Sequence, residues 1–440
     1  MRKRIGCLAA MTSLGVAGAA HAEDGKFTLD ANMRARAEVI DGQYRAGLPA
    51  DDAALLFRTD ISATYAKGPI RLGVEILDSR VYFERKHSSI SANEVDALEP
   101  IQAYVAAELG SGVSVQAGRF TMDLGSRRLV ARPINRNDFN SFTGARLDWK
   151  NKAGDKLTGF WTMPQTRVPE DSAGVHGNRF ELDEERIERQ LFGAIATKAG
   201  VIGGTAELYS YRFVETDAPG FATRNRRLLT SGVRLSRAPK VNMLDYDMEG
   251  AWQTGTTRLS AAASDLVNHR VSAWMFHGAV GWSFKAPWSP RLSFNADYMT
   301  GDKTGGSFSR FDGLIGDPAY EFTPSGLYSL IIRSNIATVS ARIEAKPNAR
   351  LDMHFNLRPI WLATATDSFG NSGVRDPSGT SGHYVGTHID TRVRYWLIPD
   401  RLQLGAGGAI LFKGRFMKDA PNAPQTGNTR YGFMDTTVFF

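Results

Sequence analysis

Along residues 23–440, apolar and polar positions alternate with period two, again and again, and no sustained helical period replaces that pattern. Between Tyr384 and Leu397, Ile389, Thr391, Val393, Tyr395 and Leu397 form one face; His388, Asp390, Arg392 and Arg394 form the other. Leu351, Met353, Phe355 and Leu357 oppose Asp352, His354, Asn356 and Arg358, and Leu244, Tyr246, Met248 and Trp252 oppose Asp245, Asp247, Glu249 and Gln253. Similar strands are predicted through 57–65, 70–76, 145–149, 233–235, 292–298 and 339–345. Burying such charges inside a soluble sandwich would cost several kcal/mol each. Facing them into water while the other face meets lipid costs little, which is the pattern of a transmembrane barrel.

The connections give the strand count. Short turns fall at 66–69, 110–112, 151–155, 199–200, 237–240, 285–290, 346–348 and 399–400. Long polar segments fall at 39–54, 79–97, 120–141, 165–187, 214–225, 254–270, 300–333, 364–384 and 414–428. The two kinds alternate strictly and join eighteen antiparallel strands into one all-β domain over 23–440. Short turns and both termini then lie in the periplasm and long loops outside the cell. Eighteen strands leave an aqueous lumen rather than a packed interior. Trp149, Trp161, Trp252, Trp274, Trp282, Tyr298 and Tyr395 are candidates for the interfacial girdles.

Both ends of the chain fit an outer-membrane destination. Residues 1–22 read as a cleaved signal peptide, with Arg2, Lys3 and Arg4, a short apolar run from Ile5 to Gly18, and Ala20-His21-Ala22 as the cleavage site. At the other end an amphipathic strand carries Met434, Thr436, Val438 and Phe440 on one face, and the terminal Phe440 reads as the label for the barrel assembly machinery. The only cysteine, Cys7, falls in the leader; the residue three before it is Arg4 where lipoprotein acylation wants an aliphatic one, so neither a lipid anchor nor a disulfide is expected. Beyond the leader no apolar run approaches the roughly 18 residues of a membrane helix. The formal charge of +7 includes three leader cations, so placement of basic residues matters more than their total.

A family resemblance rests on several segments. Gly118-Arg-Phe-Thr-Met-Asp-Leu-Gly-Ser-Arg-Arg-Leu-Val-Ala-Arg132, Asn135-Arg-Asn137 and Ser141-Phe-Thr-Gly-Ala-Arg146 resemble the alginate export family of outer-membrane proteins. So do Gly301-Asp-Lys-Thr-Gly-Gly306, Phe311-Asp-Gly-Leu314, Gly326-Leu327, Arg333-Ser-Asn335, and Asp183-Glu-Glu185 leading to Leu191-Phe-Gly193. The resemblance implies an eighteen-stranded monomeric barrel with an arginine-lined conduit for an anionic polysaccharide such as alginate.

Guanidinium suits that task, because it binds carboxylates bidentately and stays charged at any working pH. Strand parity makes Arg58, Arg71, Arg146, Arg234, Arg342, Arg358, Arg392 and Arg394 candidates for the pore wall, and an inward-folding loop would add Arg119, Arg127, Arg128, Arg132 and Arg136. Arg119 is awkward, since continuing Val113, Val115 and Ala117 points it at lipid unless a bulge or the strand end intervenes. The plainer reading of any one arginine is a salt bridge to a lumen acid, as in Arg58–Asp60 or Asp390–Arg392, and Asp245, Asp247, Glu249, Asp183, Glu184 and Glu185 supply further acids. The expectation is a mixed wall with a basic constriction. The alternative cargo is small anions, organic or sugar acids, taken up through a porin; a periplasmic export partner is open, and no nucleic-acid partner is expected. No enzyme motif stands out: the histidines are dispersed, and His383 near Ser378 and Ser381 is only a loose pairing. No cofactor is expected, and calcium on the loop acids Asp51, Asp52, Asp312 and Asp317 is the one metal reading, against ordinary solvated loops.

Overall fold

A computed structural model describes residues 25–440 apart from Thr323; the leader expected at 1–22 lies outside the described residues. Eighteen strands follow in chain order: β1 (Lys26–Asp41), β2 (Asp51–Lys67), β3 (Ile70–Tyr82), β4 (Asp96–Gly110), β5 (Val113–Phe120), β6 (Phe142–Lys150), β7 (Lys156–Pro164), β8 (Arg189–Val201) and β9 (Gly204–Glu215). The second half comprises β10 (Arg227–Arg237), β11 (Leu244–Thr257), β12 (His269–Ser283), β13 (Arg291–Met299), β14 (Ile336–Asn348), β15 (Leu351–Trp361), β16 (Tyr384–Ile398), β17 (Leu402–Lys413) and β18 (Thr429–Phe439). Every strand pairs antiparallel with its sequence neighbour, and β1 pairs with both β2 and β18, so the sheet closes. Closure removes both sheet edges, which lipid cannot hydrogen-bond. Short periplasmic turns alternate with long extracellular loops as the sequence predicts. The first hairpin runs further than expected, to Asp41 paired with Asp51, where only 42–50 remain as a loop.

Side-chain directions follow the alternation. Phe355, Val393 and Tyr395 point outward and are exposed for lipid, with Leu351 on the same register, whereas His388 and Asp390 are buried inside. Outward aromatics gather at two heights. Trp161, Trp252, Trp274 and Tyr298 lie toward the extracellular ends of their strands, with Trp274 stacked on Tyr298 at 4.7 Å between centroids; Trp149, Trp282 and Tyr395 lie toward the periplasmic ends. At the seam, the Phe440 amide donates to the Ala31 carbonyl (2.9 Å), and its ring is 64% exposed.

Two long loops fold into the extracellular half of the barrel and build a core there. Loop 121–141 meets loop 300–335 through backbone bonds from Ala131 to Ile315, from Ile315 to Leu129 and from Asp317 to Arg127 (3.0, 3.0 and 3.1 Å). Loop 300–335 then crosses to the far wall. The Leu327 amide donates to Glu38 on β1 (2.8 Å), and Tyr328 stacks on Tyr431 of β18 and His388 of β16 at 5.1 and 5.6 Å. Gly326 makes that crossing at φ +73°, where a β-carbon would collide with the Glu38 carboxylate.

Candidate functional site

Depth along the barrel sorts the inward arginines into two classes. In the extracellular half, Arg34 and Arg36 of β1, Arg58 of β2 and Arg358 of β15 are buried under the inward loops. Arg34 and Arg58 both donate to the Arg136 carbonyl (2.8 and 3.0 Å), Arg58 also reaches Asp60 (3.5 Å), and Arg358 pairs with Asp297 (3.3 Å). In the periplasmic half, Arg146, Arg234, Arg342, Arg392 and Arg394 remain reachable by water. The most open group is on β14–β16, where the side chains of Arg342, Arg392 and Arg394 are 24%, 29% and 40% exposed. Among the described residues, only Glu344 and Asp352 lie close enough to pair with these three: Arg342–Glu344 at 3.2 Å, Arg392–Asp352 at 3.6 Å and Arg394–Asp352 at 3.0 Å. Asp352 is thus shared between two guanidinium groups, and the cluster holds more positive than negative charge.

The arginines of loop 121–141 have a different job. Arg128 has a side chain only 1% exposed and is bound by Asp247 (2.9 Å), Glu249 and Glu321, while Glu321 also takes Arg333 (2.6 Å). Burial opposes the charge on Arg128, but Glu321, Glu249 and Asp247 outweigh it and hold the guanidinium well above its ordinary pKa. This knot ties loop 121–141 to β11 and to loop 300–335. Arg132 makes a two-pronged pair with Glu75 (2.5 and 2.7 Å), and Arg127 pairs with Asp123 (3.3 Å). Asp247, His277 and Glu321 have ligand atoms within 4.8 Å of one another, but Arg128 occupies that spot with its own donors.

Arg119 corrects the sequence reading. Its register partners are Ala103 and Thr143 with no bulge between, so it keeps the outward direction of Val115 and Ala117 and does not line the conduit. It lies one residue from the end of β5, where Glu99, Glu185 (3.0 Å), Gln165 (3.1 Å) and the Asp183 carbonyl receive its guanidinium; the strand end, not a bulge, relieves the conflict. Arg34 and Arg36 escaped the sequence reading altogether. Their signal was present in β1, where Arg34, Arg36 and Glu38 alternate with Met33, Ala35, Ala37 and Val39. The loop acids considered for calcium are not brought together: Asp52 accepts from the Arg85 amide (2.8 Å), Asp312 from Arg226 (2.8 Å) and Asp317 from the Ala319 amide (3.0 Å). His383 meets the Leu362 carbonyl (2.8 Å) and Ser378 meets Asp376 (2.6 Å), so no serine–histidine pair forms there.

Comparison with known proteins agrees with this architecture. The fold is similar to those of OccAB1 from Acinetobacter baumannii (TM-score 0.60, 12% identity, 94% of this chain and 97% of that one) and OccD3 (OpdP) from Pseudomonas aeruginosa (0.59, 12%, 94% and 91%). OccK5 (OpdH) from Pseudomonas aeruginosa gives a TM-score of 0.58 at 11% identity, over 96% of this chain and 99% of that one. No curated protein matches the chain. The profile of the family described as alginate export matches residues 26–431, nearly the whole barrel. The chain therefore belongs to the alginate export family and is a channel of the Gram-negative outer membrane.

Proposed function

We propose that this channel passively exports an anionic polysaccharide, a uronate polymer such as alginate, and catalyses no reaction. The observation that carries the reading is the water-accessible cluster of Arg342, Arg392 and Arg394 in the periplasmic half, with Asp352 divided between two guanidinium groups. A polymer leaving the periplasm meets these charges first. It sheds hydration on entering the bore, and fixed guanidinium groups offset that loss while remaining exchangeable between neighbouring carboxylates. The other arginines of the lumen and its loops act less directly: Arg58, Arg127, Arg128, Arg132 and Arg358 hold the inward loops and the wall, and Arg146 adds charge beside Asp148. The barrel works as a monomer, inserted by the assembly machinery that reads Phe440; a periplasmic export partner would feed the basic cluster.

Planar-bilayer recording tests this. Oligouronates added on the periplasmic side should block current, and the Arg342→Glu, Arg392→Glu, Arg394→Glu protein should lose the block and its anion preference. The difference should shrink as salt passes about 0.15 M, where the screening length is roughly 8 Å. Unchanged reversal potentials in a salt gradient would refute the cluster's role. A second reading, uptake of small anions such as organic or sugar acids, is favoured by one feature: loops 121–141 and 300–335 fill the extracellular half and suit a small solute. Block by monomeric acids but not by oligouronates would select it.

A further inference from the structure

At the extracellular end of β4, four buried carboxylates stand apart from the conduit. Asp96 begins the strand and Glu99 follows it, Asp138 comes from loop 121–141, and Asp183 comes from loop 165–188. Carboxylate oxygens of Asp96, Glu99 and Asp183 lie within 4.8 Å of one another. Three of the four groups have donors. Glu99 takes Arg119 and the Asp183 amide (3.0 Å), Asp183 takes the Val168 amide (3.0 Å), and Asp138 takes Arg167 and the Phe139 amide (2.5 Å). Asp96 meets no N–H or hydroxyl donor: its side chain is fully buried, its hydrogen-bonding neighbour is the Asp138 carboxyl, and the charges that bear on it most are the carboxylates of Asp138, Asp183 and Glu99.

An ionised carboxylate without water, donor or counter-charge costs several kcal/mol, so Asp96 needs either a proton or a cation. The two guanidinium groups in contact, Arg119 and Arg167, are already engaged by Glu99 and Asp138. What remains is an oxygen-only donor set with excess negative charge, at the end of the barrel that faces the medium. We propose that Asp96, Glu99, Asp138 and Asp183 form a calcium site that fastens loops 121–141 and 165–188 to the rim of β4. Calcium suits these donors because it takes 6–8 oxygens in flexible geometry, whereas magnesium demands a near-ideal octahedron and keeps its water.

The inference does not depend on what the channel carries, and its test does not use transport. The full mature barrel, folded in detergent and stripped with a chelator, is titrated with Ca²⁺ by calorimetry while hydrogen exchange is followed in 121–141 and 165–188. One Ca²⁺ per chain should bind with Kd in the range of about 10⁻⁴–10⁻³ M, as for other extracellular sites, and slow exchange in both loops at least tenfold. Mg²⁺ at equal concentration should do neither. Asp96→Asn should weaken binding at least tenfold; should that variant misfold on a heat-modifiability gel, Asp183→Asn replaces it. Asp171→Asn, at a loop carboxylate outside the cluster, should bind as the parent does. Absence of binding and protection at millimolar Ca²⁺ would overturn the proposal in favour of an Asp96–Asp138 pair sharing a proton, as would unaltered binding by folded Asp96→Asn and Asp183→Asn proteins.

Discussion

Arg128→Met keeps much of the length of the side chain and deletes its charge at the most heavily committed guanidinium of the inward loops. Asp247 would retain Arg234 (2.7 Å) and Glu321 would retain Arg333 (2.6 Å). Glu249 would retain only the Tyr209 hydroxyl (2.6 Å), leaving a buried carboxylate without a cation. Breaking a buried pair in this way costs about 3–5 kcal/mol, which raises the population of detached loops from about a hundredfold to a few thousandfold. The strands do not depend on this knot, so the loss should be local. Hydrogen exchange read peptide by peptide should accelerate in 121–141 and 300–335 and stay constant in the β1–β2 hairpin. Adding Glu249→Gln removes the stranded charge and should restore most of the protection, a coupling that the double-mutant cycle measures directly. Unchanged loop exchange in Arg128→Met, or a double variant as loose as the single one, would refute the assignment of Arg128 as the anchor.

Two further outcomes follow from particular residues. Glu94 in loop 83–95 is buried, and desolvation, partly offset by Arg136 and by the Ser91 amide and hydroxyl, pushes its carboxyl up to about 7. A folded-state pKa above the unfolded value contributes stability that is present below 4.5 and is lost as pH rises from there to about 7, so protection factors in 83–95, corrected for intrinsic exchange, should fall over that window and level off above it in the parent but stay flat in Glu94→Gln. Deleting Phe440 removes the hydrogen bond its amide donates to the Ala31 carbonyl and the exposed terminal ring, and should lower the surface level of assembled barrel; normal surface levels on a heat-modifiability blot would count against the terminal-label reading.

The strands were legible in the sequence because period-two alternation is local and is enforced at every position by lipid on one side and water on the other. Pairs two residues apart on one face were legible in part: Arg58–Asp60 forms as expected, and Arg146–Asp148 and Arg342–Glu344 follow the same spacing. The expected Asp390–Arg392 pair does not form, because cross-strand partners win: Arg392 turns to Asp352 (3.6 Å), and Asp390 takes His354 (3.0 Å) and Asn356 (2.8 Å). Long-range pairs were not. Arg132–Glu75, Arg128–Glu249 and Arg358–Asp297 depend on the path of a loop through the lumen and on contacts between strands two apart in the sheet, neither of which has a local signature. Arg119 shows the converse: strand parity alone points it outward, and the register with Ala103 and Thr143 keeps it there.

The segments that resemble the family have something in common once their contacts are known. Arg128 and Arg132 fasten one inward loop, and Asn137 bridges the Phe57 and Glu94 carbonyls (3.0 and 2.8 Å). Gly326 gives passage beside Glu38, Arg333 holds Glu321, and Asn335 clamps loop 362–383 through Thr364 and Ser368 (2.8–3.1 Å). These residues determine how the extracellular half is filled and held. Arg342, Arg392 and Arg394, the charges a solute in the periplasmic half would meet, lie outside every one of those segments. The loop contacts and the wall cluster on β14–β16 thus share no residue, so the part proposed for cargo can be changed without touching the part that holds the loops. Arginine exchanges on β14–β16 should then alter selectivity and leave loop exchange untouched, whereas Arg128→Met should do the reverse in the loops.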